Sequence, residues 1–456
     1  MRFANLGEIA RLLDAEITAG SERALVRGAA VDSRVVREGN LFFALRGRSD
    51  GADFAPEAYL RGAVAAVATR PLHVPTLVVE DALEAMQRLA KWTLLREGQA
   101  APLVVGITGS VGKTTTKDAL ATVLRYAGKR VSATAGNFNN EIGLPLTVLA
   151  AEPHTEVLVL EMGATFAGDI EHLCGIAPPK IGILTAISPV HLDSFGSIEA
   201  LAAAKGELAL ALPEDGILVS PVGVPEAATG QGRKLGRRIT FGREGADLWA
   251  SNIEEREEGL RFVAHFGGGS AEIHTPVFGT HLVEPLLAAL GGALALGLDL
   301  EDYARGISRL RRTGLRGEVY RLRDDIVVYD DTYNASPAAV AAVLRYGAQQ
   351  ADRQGRRFVA VLGGMYELGA AARAYHREAG KLAGEVGVGL LVCVGDEARW
   401  YAEAFSGKTL FYESAEKAAA CLEQVLRSGD YVVVKGSRGV ELEVLARKLR
   451  ESLALV

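Results

Sequence analysis

Apolar runs of four to six residues recur along the 456-residue chain, and most of them are followed by a polar or glycine-rich segment. In the middle of the chain these runs occupy residues 103–107, 157–160 and 181–184. Unbroken apolar runs of this length are typical of strands buried on both faces, so they predict a parallel sheet. After the first run, Leu120, Val123, Leu124 and Ala127 recur at helical spacing and Gly128 ends the pattern, which predicts an amphipathic helix.

The two ends of the chain show related patterns. Four apolar runs near the C-terminus alternate with helical stretches, which predicts a βαβ series and a second open sheet; they lie at residues 326–329, 358–362, 390–394 and 431–434. Near the N-terminus three shorter runs predict a small α/β unit; they lie at residues 41–45, 63–68 and 76–79. Residues 97–102 have the composition of a linker. The fold class is therefore α/β, with three domains at 1–97, 98–312 and 313–456.

Composition excludes several classes of protein. The formal net charge of −6 argues against broad electrostatic binding to nucleic acid, which needs a basic face. The 14-residue apolar run 285–298 is shorter than the roughly 20 residues of a membrane span, so we interpret it as a buried helix. The N-terminus lacks a signal-peptide pattern. The three cysteines form no metal-binding pair and fit a reducing cytosol, and we interpret all three as buried structural thiols.

A glycine-rich turn between the first central strand and its helix predicts a nucleotide site. The turn consists of Thr108, Gly109, Ser110, Val111, Gly112, Lys113, Thr114 and Thr115. The glycines let the backbone approach phosphate oxygens, and the helix N-terminus directs N–H groups toward them. Lys113 places a positive charge near the β- and γ-phosphates, and the Thr114 hydroxyl suits magnesium. A loop of this kind is shared by kinases, GTPases, motors and ligases, so it leaves the reaction open.

Further segments narrow the choice. Together with the turn, four downstream segments resemble the Mur ligases of bacterial cell-wall synthesis; they are residues 134–145, 161–164, 191–197 and 204–207. In the C-terminal third, residues 330–337, 365–369 and 435–438 resemble the MurF branch of that family, which joins D-alanyl-D-alanine to UDP-N-acetylmuramoyl-tripeptide. The Asp-Asn-Pro-Arg signature of the branch that adds diaminopimelate or lysine is absent from the sequence.

This resemblance implies an ATP- and magnesium-dependent ligase of peptidoglycan precursor synthesis that works through an acyl phosphate. It also implies a uridine-nucleotide domain at 1–97, a P-loop ATPase domain at 98–312 and a Rossmann-like dipeptide-binding domain at 313–456. We expect a cytoplasmic monomer whose partners are its two substrates, without membrane insertion.

The resemblance also implies roles for residues around the phosphates. Lys113 and Thr114 would serve ATP and one magnesium ion, and Glu161 and His191 would be further magnesium ligands. Lys205 corresponds to the family's carbamylated lysine, whose carbamate would hold magnesium. From the residues alone, the alternative for Glu161 is a surface carboxylate that closes a strand, and it is the less favoured one. For the other two the alternative is favoured: His191 as a hydrogen-bonded loop histidine and Lys205 as a solvated helix lysine beside Glu207.

The remaining matched residues would contact ATP or the other substrates. The residues expected to contact ATP from the C-terminal domain are Arg316, Asp331, Tyr333 and Asn334. The residues expected to contact the uridine nucleotide or the muramoyl peptide are Ser33, Arg34, Asn137, Asn139 and Asn140. The residues expected in the dipeptide region are Lys435, Ser437 and Arg438.

Several positions depart from the family pattern. Leu282 and Pro285 replace two asparagines near the expected adenine, Ala186 replaces another asparagine, and Gly364 replaces an aspartate. An apolar side chain cannot pair with a base edge, so these changes predict looser nucleotide specificity. Two alternatives follow: a sibling Mur-type ligase with another acceptor, and a nucleotide-binding paralogue with impaired catalysis.

Overall fold

The computed structural model describes residues 4–47, 49–96, 101–189, 192–256, 258–311 and 317–453. The chain forms two compact units. The first comprises Met1–Thr185, Ala202–Leu248 and Pro285–Gly306, and the second comprises Ala186–Leu201, Trp249–Glu284 and Ile307–Val456. No helix in the described part of the chain has the length and apolar character that crossing a membrane requires.

The N-terminal segment is a small α/β unit, as the sequence predicts. Its elements are β1 (Ala4–Asn5), α1 (Leu6–Leu13), β2 (Glu16–Ile17), β3 (Leu25–Val26), β4 (Gly28–Ala30), β5 (Asn40–Phe43), α2 (Ala55–Leu60), β6 (Ala65–Ala68), β7 (Thr76–Val78) and α3 (Ala82–Leu95). Strands β4, β5, β6 and β7 are parallel neighbours, and β2 runs antiparallel along β7. Asp81 begins α3 by accepting the N–H groups of Leu83 and Glu84.

The middle of the chain contains the predicted parallel strands. Its elements are β8 (Leu103–Thr108), α4 (Lys113–Tyr126), β9 (Val131–Ala133), α5 (Gly143–Ala150), β10 (Val157–Glu161), α6 (Asp169–Ile176), β11 (Ile181–Leu184), α7 (Leu192–Phe195), α8 (Ile198–Ala211), β12 (Ile217–Pro221), β13 (Arg237–Gly242), β14 (Leu248–Arg256), β15 (Gly259–Phe266), β16 (Gly269–Thr275), α9 (Val283–Ala295) and α10 (Leu300–Ile307). Strands β9, β10, β8, β11, β12 and β13 form a parallel array in that order. In the second unit β15 and β16 pair antiparallel.

The two helices predicted in this region, at 285–298 and after the first central strand, are both present. The apolar run 285–298 lies largely in α9 and is mostly buried, as predicted. Leu120, Val123 and Leu124 are fully buried on α4, but Ala127 is exposed, so its place on the buried face was wrong. Ala127 is the C-cap residue of α4, just beyond the last helical residue, Tyr126. Of the predicted linker 97–102, residues 97–100 lie outside the described residues.

The C-terminal segment forms an open sheet with helices on both faces. Its elements are β17 (Glu318–Arg321), β18 (Val327–Asp331), α11 (Pro337–Arg353), β19 (Phe358–Gly363), α12 (Ala372–Glu385), β20 (Leu390–Val394), α13 (Arg399–Ala402), β21 (Thr409–Tyr412), α14 (Ala415–Val425), β22 (Tyr431–Lys435) and α15 (Leu442–Ser452). The strand order is β17-β18-β22-β19-β20-β21, and only β17 is antiparallel to its neighbour.

Alternate residues of the central C-terminal strands belong to two separate cores. Val327 and Tyr329 pack in the core that contains residues of α11 and α12, whereas Val328 packs in the core that contains residues of α14 and α15. Because successive strand residues point to opposite faces, an unbroken apolar run is what a sheet covered on both sides requires. The two-sided sheet predicted from the apolar runs is therefore confirmed.

The cysteines only partly match the interpretation from sequence. Cys174 and Cys393 are buried, but Cys421 is exposed. Helix α14 buries Ala415, Ala418 and Leu422, and Cys421 lies off that stripe.

Candidate active site

The glycine-rich turn connects the buried end of β8 to the first residue of α4. Gly109 and Gly112 have φ values of 140° and 88°, which L-residues rarely adopt. A side chain on Gly112 would also meet the ring of Pro285, because a Cβ there would lie 2.9 Å from the Pro285 Cγ. Both the backbone conformation and the available space therefore require glycine at 112. The turn leads directly into a helix N-terminus, which favours an anion.

The other residues of the turn are held by neighbouring strands. Thr108 is fully buried, and its hydroxyl donates to the Met162 carbonyl at 2.8 Å. The Thr185 hydroxyl donates to the Val111 carbonyl at 2.6 Å. The Lys113 ammonium lies over the turn, where it donates to the Gly109 carbonyl at 2.7 Å and the Ser110 carbonyl at 3.2 Å. The turn is thus shaped by hydrogen bonds from β8, β10 and β11 into a cationic cradle suited to phosphate.

Glu161 lies at the carboxyl end of β10, beside the turn. Its side chain is buried, and both carboxylate oxygens are engaged: Thr114 donates to one at 2.8 Å and the Asn139 amide donates to the other at 2.9 Å. Glu161 is therefore not a surface carboxylate that merely closes a strand. The buried Thr114 hydroxyl and the Glu161 carboxylate lie side by side, and both offer oxygen atoms of the kind that Mg²⁺ binds. Mg²⁺ in proteins usually takes the rest of its ligands from water and substrate phosphate.

Lys205 is 2% exposed, which excludes the solvated helix lysine. Its ammonium donates to the Ala164 carbonyl at 3.3 Å, a few residues after Glu161. Burial, reinforced by the charge of Lys113, lowers the pKa of Lys205 to about 7, against the opposing influence of Asp169 and Glu207. A large fraction of this amine is therefore neutral near pH 7, and a neutral amine is nucleophilic.

Glu207, two residues beyond Lys205, binds backbone N–H groups. Its carboxylate accepts the N–H groups of Gly168 at 2.7 Å and Glu171 at 3.0 Å. These bonds fix the start of α6. His191, the other residue predicted to bind magnesium, lies outside the described residues, and within those residues no group of three His, Cys, Asp or Glu side chains could hold a metal ion.

The three asparagines predicted to face substrate differ in their surroundings. Asn139 binds Glu161 as described above. Asn140 is exposed, and its carbonyl oxygen accepts the Gly143 N–H at 2.9 Å, at the start of α5. Asn137 is exposed. Of the three, only Asn139 is thus hydrogen-bonded to Glu161, the carboxylate that also accepts the Thr114 hydroxyl of the turn.

In the N-terminal sheet region, Ser33 and Arg34 form the turn after β4. The buried Ser33 hydroxyl donates to Glu57 at 2.7 Å. The exposed Arg34 pairs with Asp32 at 2.7 Å, and the hydrogen bond from Arg34 lowers the pKa of Asp32 to about 2. This places an exposed guanidinium beside a buried hydroxyl, and both are groups that an anionic nucleotide could use.

In the second unit, the end of β18 meets the end of β22. Lys435 is 3% exposed and donates to the Asp331 carboxylate at 2.5 Å and to the Asn334 carbonyl at 2.9 Å. The Arg438 guanidinium lies 5.5 Å from the ring centre of Tyr333. Residues predicted to contact ATP and residues predicted in the dipeptide region therefore form one cluster. Arg316 lies outside the described residues.

The same cluster contains a histidine to which the sequence reasoning gave no role. His281 is half-buried, and burial lowers its pKa to about 4, although the charge of Asp331 opposes this and that of Lys435 reinforces it. The preceding Gly279 has a φ of 107°, and a Cβ there would lie 2.3 Å from the imidazole. In the sequence, the Gly-x-His spacing of Gly279 and His281 was the one pattern that could have pointed to this histidine.

Ser437 organises the neighbouring loop. Its buried hydroxyl accepts the Tyr366 N–H at 2.9 Å, and its own N–H donates to the Gly364 carbonyl at 3.0 Å. The adjacent Met365 N–H donates to the Nε2 of the fully buried His376 at 2.9 Å. Ser437 thus ties the loops after β19 and β22 together.

Comparisons with known proteins place this geometry in a family. Residues 107–293 match the Mur ligase middle domain, and residues 315–438 match the Mur ligase glutamate ligase domain. The UDP-N-acetylmuramoyl-tripeptide–D-alanyl-D-alanine ligase of Bacillus subtilis is 33% identical over 94% of this chain and 94% of its own length. The ligase of the same name from Escherichia coli is 32% identical, with 92% of this chain and 93% of the relative covered.

Solved structures agree with these matches. MurF from Acinetobacter baumannii is similar with a TM-score of 0.88, at 27% identity and 99% coverage of both chains. MurF ligase from Thermotoga maritima in complex with ADP is similar with a TM-score of 0.79, at 31% identity, covering 94% of this chain and 99% of that one. The chain therefore belongs to the MurF family of Mur ligases.

Proposed function

We propose that this chain is an ATP-dependent ligase that joins D-alanyl-D-alanine to UDP-N-acetylmuramoyl-tripeptide in peptidoglycan precursor synthesis. The observation that carries the proposal is the meeting of the phosphate turn, the Thr114–Glu161 pair and the buried amine of Lys205 within one unit. These groups suit phosphoryl transfer to an acid, and the relatives over the full chain are ligases of this name.

The reaction needs ATP because a carboxylate is a poor acyl donor. In the first step an oxygen of the tripeptide carboxylate forms a bond to the γ-phosphorus, the bond to the β–γ bridging oxygen breaks, and ADP leaves. In the second step the dipeptide amine forms a bond to the acyl carbon, the acyl–oxygen bond breaks, phosphate leaves and the nitrogen loses a proton. Two anions must meet in the first step, so the protein must supply positive charge and fixed dipoles.

The residues of the turn would supply part of that charge. Lys113 would move its ammonium from the Gly109 and Ser110 carbonyls to the phosphates, and the first N–H groups of α4 would donate to phosphate oxygens. Thr114 and Glu161 would hold magnesium together with His191. Magnesium, when bound there, would neutralise charge on the phosphates and on the substrate carboxylate.

Lys205 would act as a carbamate. The neutral amine attacks the carbon of carbon dioxide, a nitrogen–carbon bond forms, one carbon–oxygen π bond opens, and the nitrogen loses a proton to water. The product is an anion in place of a neutral amine, so Lys205 would supply an oxygen ligand for magnesium. The lowered pKa of Lys205 supports this role because only the unprotonated amine can react.

The other substrates would be met by the remaining predicted residues. Ser33 and Arg34 would contact the uridine nucleotide, and Asn137, Asn139 and Asn140 would contact the muramoyl peptide. Asp331, Tyr333 and Asn334 of the C-terminal cluster would contact ATP, as would Arg316, which lies outside the described residues. Lys435, Ser437 and Arg438 would form part of the dipeptide region, where a cation suits the dipeptide carboxylate.

A two-substrate assay tests the proposed function. Phosphate release from ATP should require both the tripeptide nucleotide and D-alanyl-D-alanine, and the pentapeptide nucleotide should appear in equal amount. ATP turnover that is indifferent to the dipeptide would contradict the proposal. Acceptor screening with other amino acids would identify a sibling ligase, and calorimetry without magnesium-dependent ATP binding would favour the impaired paralogue.

We also propose that the enzyme works in the cytoplasm as a monomer, in keeping with its unpaired cysteines. Cell fractionation and analytical ultracentrifugation would check the two statements separately.

A further inference from the structure

Lys117 is a buried charge that the proposed chemistry does not use. It lies one turn after Lys113 on α4, and its side chain is 5% exposed. The ammonium lies 2.9 Å from the carboxylate of the neighbouring Asp118 and donates to the Thr134 carbonyl at 2.8 Å. Burying a lysine costs desolvation free energy even when the charge is paired. If this position only had to fill space, an apolar side chain would stabilise the fold more.

Thr134 connects Lys117 to the strand that carries Glu161. Its N–H donates to the Val159 carbonyl at 3.0 Å, and its hydroxyl accepts the N–H of Glu161 at 2.9 Å. The third bond is the one from Lys117 to the Thr134 carbonyl. Thr134 is therefore held by α4 through Lys117 and by β10 through Val159 and Glu161. Thr134 is thereby fixed at its N–H, its hydroxyl and its carbonyl.

The segment that begins at Thr134 also holds the other end of Glu161. Five residues later, the Asn139 carbonyl accepts the Gly163 N–H at 2.7 Å, and the Asn139 amide donates to the Glu161 carboxylate at 2.9 Å. A Cβ on Gly163 would lie 2.9 Å from the Asn139 side chain, so the two chains are in close contact there. The backbone and the carboxylate of Glu161 are thus both set by the segment that Lys117 anchors.

We propose that Lys117 is a positioning residue of the ligase reaction, which anchors the Thr134 carbonyl and so directs the Glu161 carboxylate toward Thr114. The proposal rests on the proposed function, because it assumes that Glu161 and Thr114 hold magnesium. Residues that orient metal ligands typically change metal affinity or activity by about 10–100-fold when they are replaced.

Two variants separate positioning from stability. Asp118→Asn removes the ion pair but keeps the Lys117 bond to Thr134, so it should lower the melting temperature without changing the magnesium requirement. Lys117→Met combined with Asp118→Asn removes the bond to Thr134 and leaves no unpaired charge. In this double variant the magnesium concentration for half-maximal activity should rise by about tenfold or more.

Two readouts other than activity complete the test on the full-length enzyme. Calorimetric binding of a non-hydrolysable ATP analogue should weaken in the double variant when magnesium is present and stay unchanged when it is absent. Amide hydrogen exchange should increase in residues 134–139 and 161–163 and not in β8. Lys180→Met is the matched control, since it removes the lysine of a more exposed ion pair with Asp215 and should leave all these measurements unchanged.

A double variant that folds and has wild-type magnesium dependence and exchange would overturn the proposal, as would an Asp118→Asn variant that loses magnesium affinity equally. If the double variant does not fold, Lys117→Arg provides the test: it keeps the charge beside Asp118 but moves the donor to the Thr134 carbonyl, so its magnesium requirement and its exchange in residues 161–163 should both exceed those of wild type, and wild-type values of both would overturn the proposal. Glu161→Gln separates failure of the proposed metal site from failure of the positioning role of Lys117. If it leaves magnesium dependence unchanged, the proposed metal site itself is wrong.

Discussion

Lys205 and Lys435 are both almost completely buried, but they lie in different units and in opposite electrostatic surroundings. Lys435 donates to the carboxylate of Asp331 at 2.5 Å, so its charge is matched by an ion pair. Lys205 donates to a backbone carbonyl, and burial together with the charge of Lys113 lowers its pKa to about 7. One buried lysine thus joins two strand ends, and the other is the one for which we propose a chemical role.

The two lysines show how one residue type acquires two roles. A buried ion pair keeps the positive charge and uses it to hold Asp331 and Asn334 in place. Burial beside another cation instead favours the neutral amine, which is the form that the proposed reaction with carbon dioxide requires. The surroundings, rather than the residue type, decide whether such a lysine holds other groups or reacts.

The largest expected effect is at the phosphate turn beside Lys205. Lys113→Ala removes the ammonium that would contact the β- and γ-phosphates, and kcat/KM should fall by about 10³-fold. Measurement of pentapeptide nucleotide formation checks this. Product formation at the wild-type rate would show that the turn does not bind the triphosphate as proposed.

The next effect tests the reactive lysine directly. Lys205→Ala should lower kcat by about 10²-fold, because the carbamate proposed to bind magnesium would be lost. Added bicarbonate should activate wild-type enzyme that has been depleted of carbon dioxide and should not activate the variant, whereas a small carboxylic acid should restore part of the variant's rate. Equal activation of both proteins would contradict the carbamate.

The same substitution at the two lysines should have opposite effects on stability. Lys435→Met leaves the carboxylate of Asp331 without its cation, and the free energy of unfolding should fall by about 2 kcal/mol. Lys205→Met removes an amine whose charged form burial disfavours, so stability should be unchanged or increased near pH 7. Denaturant unfolding of both variants measures the difference. A similar loss in both would show that the two environments do not differ in this way.

The smallest effect concerns His281, in the cluster around Lys435. Its pKa in the folded protein is about 4, below its ordinary value of 6.5, so the unfolded chain binds the proton first as the pH falls. The stability associated with neutral His281 is complete above pH 6.5 and is lost as the pH falls toward 4. Between pH 6 and pH 5 wild-type stability should fall by about 1 kcal/mol more than that of His281→Gln. Equal slopes would contradict a lowered pKa.

Much of the fold follows from local pattern. The apolar runs around Val157 and Val432 match buried parallel strands, because these strands are covered on both faces and need no alternation. The strands β12 to β16 and β21 did not enter the prediction. Strand β21 is only partly buried along its whole length, so it lacks an unbroken buried run.

The part of the site whose functional residues are adjacent in the sequence could be predicted. The turn with Lys113 and Thr114 carries its own signal, since glycines, cation and hydroxyl are adjacent. The burial of Lys205 was not predictable from spacing, because α8 is rich in alanine and leucine around it and shows no clear polar stripe. The contacts of Lys117 with Thr134 and of Lys435 with Asp331 join residues 17 and 104 positions apart and depend on tertiary structure.

Other predictions stay predictions. The domain limits and the roles of the site residues are not fixed by the family matches, and His191 and Arg316 lie outside the described residues. The looser nucleotide specificity expected from Leu282 and Pro285 can be checked by comparing ATP with GTP. A discrimination of less than about tenfold would agree with the loss of one hydrogen bond to the base.

Oxygen transfer tests the central claim, that this site phosphorylates a carboxylate, most directly. With ¹⁸O in the terminal carboxylate of the tripeptide nucleotide, each phosphate released should contain one ¹⁸O atom from that carboxylate, because the acyl–oxygen bond breaks in the second step. Mass spectrometry of the phosphate would detect it. Product formed with unlabelled phosphate would contradict the acyl phosphate, and with it the function proposed for the phosphate turn, Glu161 and Lys205.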